Sequence, residues 1–427
     1  MKKGKSITNK WMNILRVGWF LAKHQIKNSN KSATLLIVFI MMLTFLNLVV
    51  ISGVLVGLIE GANIANKEQY TGDVFISTLS GKTDIGHTNE IESTLRKIDG
   101  ISNISIRYAK GGKIEANYKT RRDFSELQDI ASTQIVGISP EEEDKLSSLS
   151  KYINEGSFLN KEESGYILIG KNLLHRYSED FGDVFASLEG VYPGDEVKVT
   201  VGENTKIFIV KGIISSKVNQ VSLRAFITKE DFFRLVDKPN LNANEISIKL
   251  STNGTMTADI LKDNLIKSNF SLDAKIQIAT EAIPEFLNQI RLAFELLGNV
   301  IGLIGILVAS ITIFIVIFIN AVTRKKYIGI MKGIGIKEKA IEVSYVFQSI
   351  FYASLGGFLG LLVTYILLVP FFNAYPLNFP FSDGILVVPI NGTVLKFCLL
   401  LFVTLIAGYI PARRIVKKNT LDSILGR

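Results

Sequence analysis

Residues Asn320–Glu342 read NAVTRKKYIGIMKGIGIKEKAIE, a basic stretch set between two long runs that carry no charge. Arg324, Lys325, Lys326, Lys332, Lys337 and Lys339 stand there against only Glu338 and Glu342. A short connection of that composition between two membrane spans belongs on the cytoplasmic side, by the bias of lysine and arginine in short loops. Within it, Tyr327, Ile328, Ile330, Met331, Ile334 and Ile336 recur at intervals of one, two and three residues. That spacing predicts an amphipathic turn or short helix at the membrane surface with an apolar face left over. Gly329, Gly333 and Gly335 permit close backbone approach and weaken a free helix by about 1 kcal/mol each. Two readings stand: an interfacial loop that reverses the chain, and a docking helix for a cytoplasmic partner.

Working outward, Leu296–Val322 on one side and Val343–Pro370 on the other are long enough to span a bilayer, which takes about 20 apolar residues. Ala33–Ile59 is a third uncharged run, and Gly392–Ile410 a fourth whose one charge, Lys396, lies near its outer end and can snorkel. The eight basic and no acidic residues of 1–32 place the N-terminus inside. There, Ile7, Trp11, Ile14, Leu15, Gly18, Ala22 and Ile26 share a face, as in a helix lying along the membrane surface. That leader is too long and the apolar run too extended for a cleaved signal peptide. Pro411, Arg413 and Arg414 return the C-terminus to the inside. Gly53, Gly57 and Gly61, then Gly298 and Gly302, then Gly356 and Gly360 form small-residue stripes suited to close helix packing.

The expected order is therefore a cytoplasmic amphipathic helix (1–32), a first span (33–59), an outer domain (60–295), a second span (296–322) and the basic segment (323–342). A third span (343–370), an aromatic and proline-rich outer loop (371–391), a fourth span (392–410) and a cytoplasmic tail (411–427) follow. Both termini are cytoplasmic in a cell or inner membrane.

Residues 60–295 carry 28 basic and 35 acidic residues, so the net charge of +9 comes from the flanks of the spans. That distribution sets orientation in a bilayer and is no nucleic-acid signal. The strand–helix–strand pattern of Asp73–Thr78, Asn89–Ile98 and Asn103–Tyr108 recurs at Glu245–Leu250, Met256–Lys267 and Ala274–Ile278. A β-rich insertion, about 133–228, lies between. The fold class is thus four transmembrane helices with a large α+β extracytoplasmic domain, a split β-α-β with a β-rich insertion. Asn89 is expected to cap the first of those helices. Ser139 caps another, with Pro140 in its first turn and Glu141–Asp144 favoured there by the helix dipole.

Chemistry is sparse. His24, His87 and His175 are scattered, and no metal-ligand spacing, nucleophile elbow or phosphate loop occurs. No catalytic, metal or cofactor residue is expected in this chain. Lys396 apart, no ionisable residue lies within a span, which argues against ion-coupled transport. The single cysteine, Cys398, precludes a disulfide framework.

The run Arg324-Lys325-Lys326-Tyr327-Ile328-Gly329-Ile330-Met331-Lys332-Gly333-Ile334-Gly335 resembles the E-I-G-I-x-K-A-x-G-like segment of MacB-, FtsX- and LolC/LolE-type ABC transporter permeases. Ala407-Gly408-Tyr409-Ile410-Pro411-Ala412-Arg413-Arg414 is similar to the family's G-x-x-P-A-x-x-A ending, followed by Thr420–Leu425. Tyr327 and Gln348 stand where the family commonly has glutamate. The resemblance implies a separate cytoplasmic ATPase that carries the ATP and Mg and docks on 324–336. It also implies a second permease chain, identical or not, and mechanotransmission to the outer domain. The work so driven would be export or extraction of a lipoprotein, lipid, peptide or drug, or control of an extracytoplasmic partner. Tyr327, Ile328, Met331 and Ile334 are the expected anchors in the ATPase groove, with Arg324, Lys325 and Lys326 at lipid headgroups or an acidic rim. The alternative is a receptor or scaffold with an extracytoplasmic binding domain and no ATPase.

Overall fold

The computed structural model describes residues 2–119, 129–177, 188–238, 241–252, 254–379 and 381–417. They fall into two compact units: Met1–Leu58 with Gln289–Leu377 and Gly384–Arg427, and Ile59–Asn288 with Asn378–Asp383. The chain begins with helix α1 (Lys2–Lys27) and, after a three-residue break, α2 (Lys31–Asn66). Nothing in the sequence breaks α2 at Ile59, so it runs on through Glu60 and Gly61 into a π-helical turn, Lys67–Thr71. Gly72 ends it at φ +69°, where a Cβ would lie 2.5 Å from the Ile248 carbonyl oxygen. Only glycine meets both demands.

The second unit continues with β1 (Val74–Ser77), α3 (Thr88–Leu95), β2 (Ile101–Glu115), β3 (Ile130–Ile138), α4 (Pro140–Ser147), β4 (Ile153–Gly156) and β5 (Tyr166–Gly170). Then come β6 (Glu196–Val201), β7 (Asn204–Ile214), α5 (Asn219–Ser222), β8 (Arg224–Thr228), α6 (Lys229–Val236), β9 (Glu245–Leu250), α7 (Ala258–Lys267) and β10 (Lys275–Ile278). The two strand–helix–strand pieces interleave as an antiparallel sheet in the order β10-β1-β9-β2. β2 is long enough that its second half leaves this sheet and pairs with β3 and β6. The sheet then continues β3-β8-β5-β7-β4, so the insertion grows from the end of one strand of the split unit.

Both faces are buried. Val74, Ile76, Ile135, Ile167, Ile169, Ala225 and Ile227 point to one core, with α3, α6 and α7 contributing Ile91, Phe232 and Leu261. Phe75, Val136, Leu168 and Phe226, one residue out of phase, point to a second core with Tyr70, Leu149 and Val221. Strands buried on both sides read as continuous apolar runs such as Tyr166–Gly170.

Helix starts differ from expectation in detail. His87, not Asn89, occupies the cap of α3, at φ 52° with no side-chain cap bond. Thr88 Oγ1 donates to the Ile85 carbonyl (2.8 Å) and accepts from Ala243 N (2.9 Å), which fixes the start one residue earlier. Ser139 does sit at the cap of α4 with Pro140 in the first turn, but its side chain makes no cap bond. The Glu141–Asp144 cluster is more than a dipole effect, because Glu143 is 2% exposed. Its carboxylate takes two bonds from Arg107, Nε at 2.8 Å and Nη2 at 2.7 Å, with Ser105 Oγ at 2.6 Å and Ser147 Oγ at 2.9 Å. Arg107 Nη2 also donates to the Tyr70 carbonyl (2.9 Å) and Nη1 to Ser247 Oγ (3.1 Å). Glu245 lies 3.6 Å from Arg107 and 2.9 Å from Arg224. Burial alone would push Glu143 and Glu245 up; the guanidinium of Arg107 on Glu143, and of Arg224 on Glu245, overrides it and holds both below the usual carboxylate range.

In the first unit, α8 (Glu285–Thr323), α9 (Lys325–Gly333) and α10 (Glu338–Leu362) follow, α10 passing through a π-helical stretch (Val363–Leu368) into α11 (Val369–Ala374). The strands β11 (Leu377–Phe379) and β12 (Ser382–Gly384) form a hairpin before α12 (Ile390–Val416). Among the described residues, four helical stretches are long and apolar enough to cross a membrane: Lys31–Thr71, Leu287–Thr323, Glu338–Ala374 and Ile390–Val416. The fourth does not stop at Pro411, which lies inside α12, buried beside Ala412, Ile415 and Val416. Those side chains are core members, and their packing offsets the lost backbone bond.

The glycine stripes divide. Gly356 and Gly360 face α2, where a Cβ would lie 2.5 Å from Met41 Cβ and 2.7 Å from Phe45 Cδ1 respectively. Gly53 and Gly57 pack most closely on the extended chain before α12: a Cβ on Gly57 would fall 1.7 Å from the Ile385 oxygen, and Val387 N donates to the Gly53 carbonyl at 3.2 Å. Gly61, in the second unit, meets Ser382 and Asp383 in the same way. Gly298 makes an ordinary contact with Leu55 at 3.4 Å, and Gly302 meets nothing within 4 Å. The expected stripe on α8 is therefore not a close-packing seam within this chain. The aromatic outer loop is also divided, since Asn378–Asp383 belong to the second unit.

Candidate functional site

The basic segment folds as α9, with Arg324 at its cap position. Its end follows from Gly335, which takes φ +94°. Ile336 N donates to the Met331 carbonyl and Gly335 N to the Lys332 carbonyl, both at 3.0 Å. That pair of bonds is a Schellman motif, which needs glycine in the left-handed position. Gly333 and Gly335 meet nothing else of this chain within 4 Å.

Helical spacing gives α9 two apolar faces. Ile328 is 1% exposed and belongs to a core with Ile317, Ala321, Ile341, Tyr345, Ala412 and Ile415; Met331 and Ile336 pack against it. Gly329 is buried beside it. Of the expected groove anchors, Ile328 is buried against the chain's own helices and Met331 is half-buried beside it. The opposite face carries Tyr327 at 67%, Ile330 at 44% and Ile334 at 74% exposure. These lie at i, i+3 and i+7, one stripe of a helix. Ile330 was not among the expected anchors, although the same spacing could have found it.

Lys332 likewise faces inward. Its Nζ lies 2.7 Å from Glu338 Oε1 and donates to the Val416 carbonyl at 3.0 Å, tying α9 to the starts and ends of its neighbours. It also neutralises carbonyl charge at the C-terminus of α12. Arg413 and Arg414 are exposed at that end, Arg413 lying 5.8 Å from the Tyr409 ring, whereas Pro411 is buried. Thr420–Leu425, the end of the second sequence match, lie outside the described residues.

α1 packs across α10. A Cβ on Gly18 would fall 2.7 Å from Val343 Cγ1, the rings of Trp19 and Phe347 meet edge-on at 5.4 Å, and Lys339 Nζ lies 5.1 Å over Trp11. Gln348 is buried and its amide donates to Gln25 Oε1. The glutamine at this position is therefore an internal contact of the helices, while Tyr327 faces out.

Residues 299–420, from within α8 to past α12 and including α9, match the family described as FtsX-like permease C-terminal. Relatives in the same mould include the macrolide export ATP-binding/permease protein MacB of Escherichia coli, 22% identical over 194 residues, 45% of this chain and 29% of that one. The ABC transporter permease YtrF of Bacillus subtilis is 24% identical over 209 residues, 46% of each. The chain is thus similar to ABC permeases of the MacB/FtsX type, most directly over residues 299–420. The match spans less than a third of MacB and about half of YtrF. What this chain shares with MacB is the permease portion only. Among solved structures, the periplasmic region of MacB from Actinobacillus actinomycetemcomitans is 14% identical, covering 50% of this chain and 92% of that one at a TM-score of 0.34. The extracellular domain of the transporter YknZ is 12% identical, covering 48% and 98%, at 0.31.

Proposed function

We propose that this chain is the transmembrane permease subunit of an ATP-driven transporter whose separate cytoplasmic ATPase docks on the outward face of α9. The observation that carries the reading is the stripe Tyr327–Ile330–Ile334, exposed on a helix whose other face is fixed in the core by Ile328 and Lys332. Apolar anchors on a rigid element lose little entropy on binding, which favours docking over simple chain reversal. Arg324, Lys325 and Lys326 stand beside the stripe at the start of α9, where they supply a charged rim. On this reading α9, both termini and α1 are cytoplasmic, and residues 59–288 are outside.

ATP binding and hydrolysis reside in the partner, and this chain converts closure of the ATPase into movement of the outer unit. The helix α2 supports that route: it leads without a break into the π-helical turn whose Tyr70 carbonyl accepts bonds from Arg107 and Ser247. A second permease chain, identical or paired, completes the assembly against exposed apolar helix faces such as Leu296, Leu303, Leu307 and Ile311 of α8. The test is purification of the tagged chain from its native membrane and identification of what accompanies it. A stoichiometric ABC ATPase supports the assignment; a kinase, or no partner at all, favours the receptor reading.

A further inference from the structure

The second unit includes a piece of chain remote from the rest of it in sequence. Residues Asn378–Asp383, between the third and fourth long helices, cluster with Ile59–Asn288 and form most of the β11–β12 hairpin. A lone two-stranded hairpin is marginally stable, so its order depends on what it sits against. Lys217, in the turn after β7, directs its ammonium at this hairpin. It donates to the Phe379 carbonyl oxygen at 2.7 Å and to Asn378 Oδ1, with Asp383 Oδ1 at 3.5 Å. Three acceptors match the three N–H groups of an ammonium.

The turn that carries Lys217 is itself held, Ser216 Oγ donating to Gln69 Oε1 at 2.6 Å and accepting from Val218 N at 2.9 Å. Gly61 of α2 also meets the hairpin. A Cβ there would fall 2.4 Å from Ser382 Oγ and 2.5 Å from the Asp383 oxygen, and Ser382 is fully buried. The hairpin therefore meets both one ammonium and one bare stretch of helix. The grip is light. Asp383 is 63% exposed and Lys217 21%, and exposed ion pairs add little fixed stability.

We propose that Lys217 is a releasable latch that makes the β11–β12 hairpin a third attachment of the outer unit, besides α2 and α8. While latched, the chain between α11 and α12 is tied to the outer unit; unlatched, that unit is carried by α2 and α8 alone. The attachment stands whether or not an ATPase docks on α9.

Hydrogen–deuterium exchange on the full-length chain in lipid nanodiscs, without any partner, tests it. Amides of residues 377–384 exchange slowly in the native chain and at least tenfold faster in Lys217→Ala, while β1, β9 and β10 are unchanged. Raising the salt to about 1 M, where the Debye length is about 3 Å, speeds the same amides in the native chain. Gly61→Leu removes a helix-weakening glycine and leaves Lys217 intact, so it releases the hairpin by a second route without unfolding α2. Unaltered hairpin exchange in either variant overturns the latch. So does a loss of protection that spreads through the whole sheet in both, since the hairpin would then be part of the core.

Discussion

Neighbouring residues of α9 have opposite duties. Ile328 is 1% exposed and Tyr327 67%, so a charge at each should have different consequences. Ile328→Asp buries a carboxylate with no partner, and loss of several kcal/mol from the first unit is expected. Reduced yield and a lowered melting temperature in detergent would register it. Burial is equally decisive at Arg107, whose guanidinium serves Glu143, Ser247 and the Tyr70 carbonyl. Removing one partner of a buried pair costs about 3–5 kcal/mol. Arg107→Met should therefore speed exchange of β2 and β9 amides by two orders of magnitude or more, with α9 unaffected. Neither duty could be read from composition. The apolar positions of α9 fit two helix faces at once, and Glu143 looks like any first-turn carboxylate until β2 brings Arg107 beneath it.

At the scale of elements, caps and carboxylates set the limits. Gly335 ends α9 at φ +94°, a conformation that costs an L-residue about 1–2 kcal/mol. Gly335→Ala should lower the melting temperature modestly and fray α9 in exchange experiments; an unchanged protein would remove the Schellman account. Glu143 and Glu245 are both held below the usual carboxylate range in the folded unit. A depressed folded value means the stability is present above the unfolded pKa of about 4.3 and is lost as pH falls through the folded value. Acidification below about pH 4 should hence destabilise the second unit, visible as earlier loss of β2 and β9 protection. Glu143→Gln should flatten that dependence. The split strand–helix–strand order was legible because its periodicity switches between 2 and 3.6 at each element. The reach of β2 into the insertion was not, since nothing local marks where a strand changes partners.

For the whole molecule, the four apolar runs and their basic flanks were readable because bilayer thickness fixes span length. What packs on Gly53, Gly57 and Gly61 was not, because a small-residue stripe accepts an extended chain as readily as a helix. Thiol labelling tests the orientation. With Cys398 replaced by serine, a membrane-impermeant thiol reagent should reach a cysteine at Ser148 in intact cells and spare one at Lys337; the reverse pattern would invert the topology.

The central claim is that the outward stripe of α9 docks the ATPase. Anchors of this kind contribute about 2 kcal/mol each, so Tyr327→Asp with Ile334→Asp should weaken the complex roughly a thousandfold. Both residues are exposed, so the chain itself should fold and insert as before. The measurement is the amount of ATPase that co-purifies with this double variant, beside Lys326→Ala as a rim control expected to lose little at low salt. Loss of the ATPase from a folded, membrane-inserted double variant is the predicted result. Full recovery of the ATPase with both carboxylates in place would contradict the account and leave α9 a connecting turn.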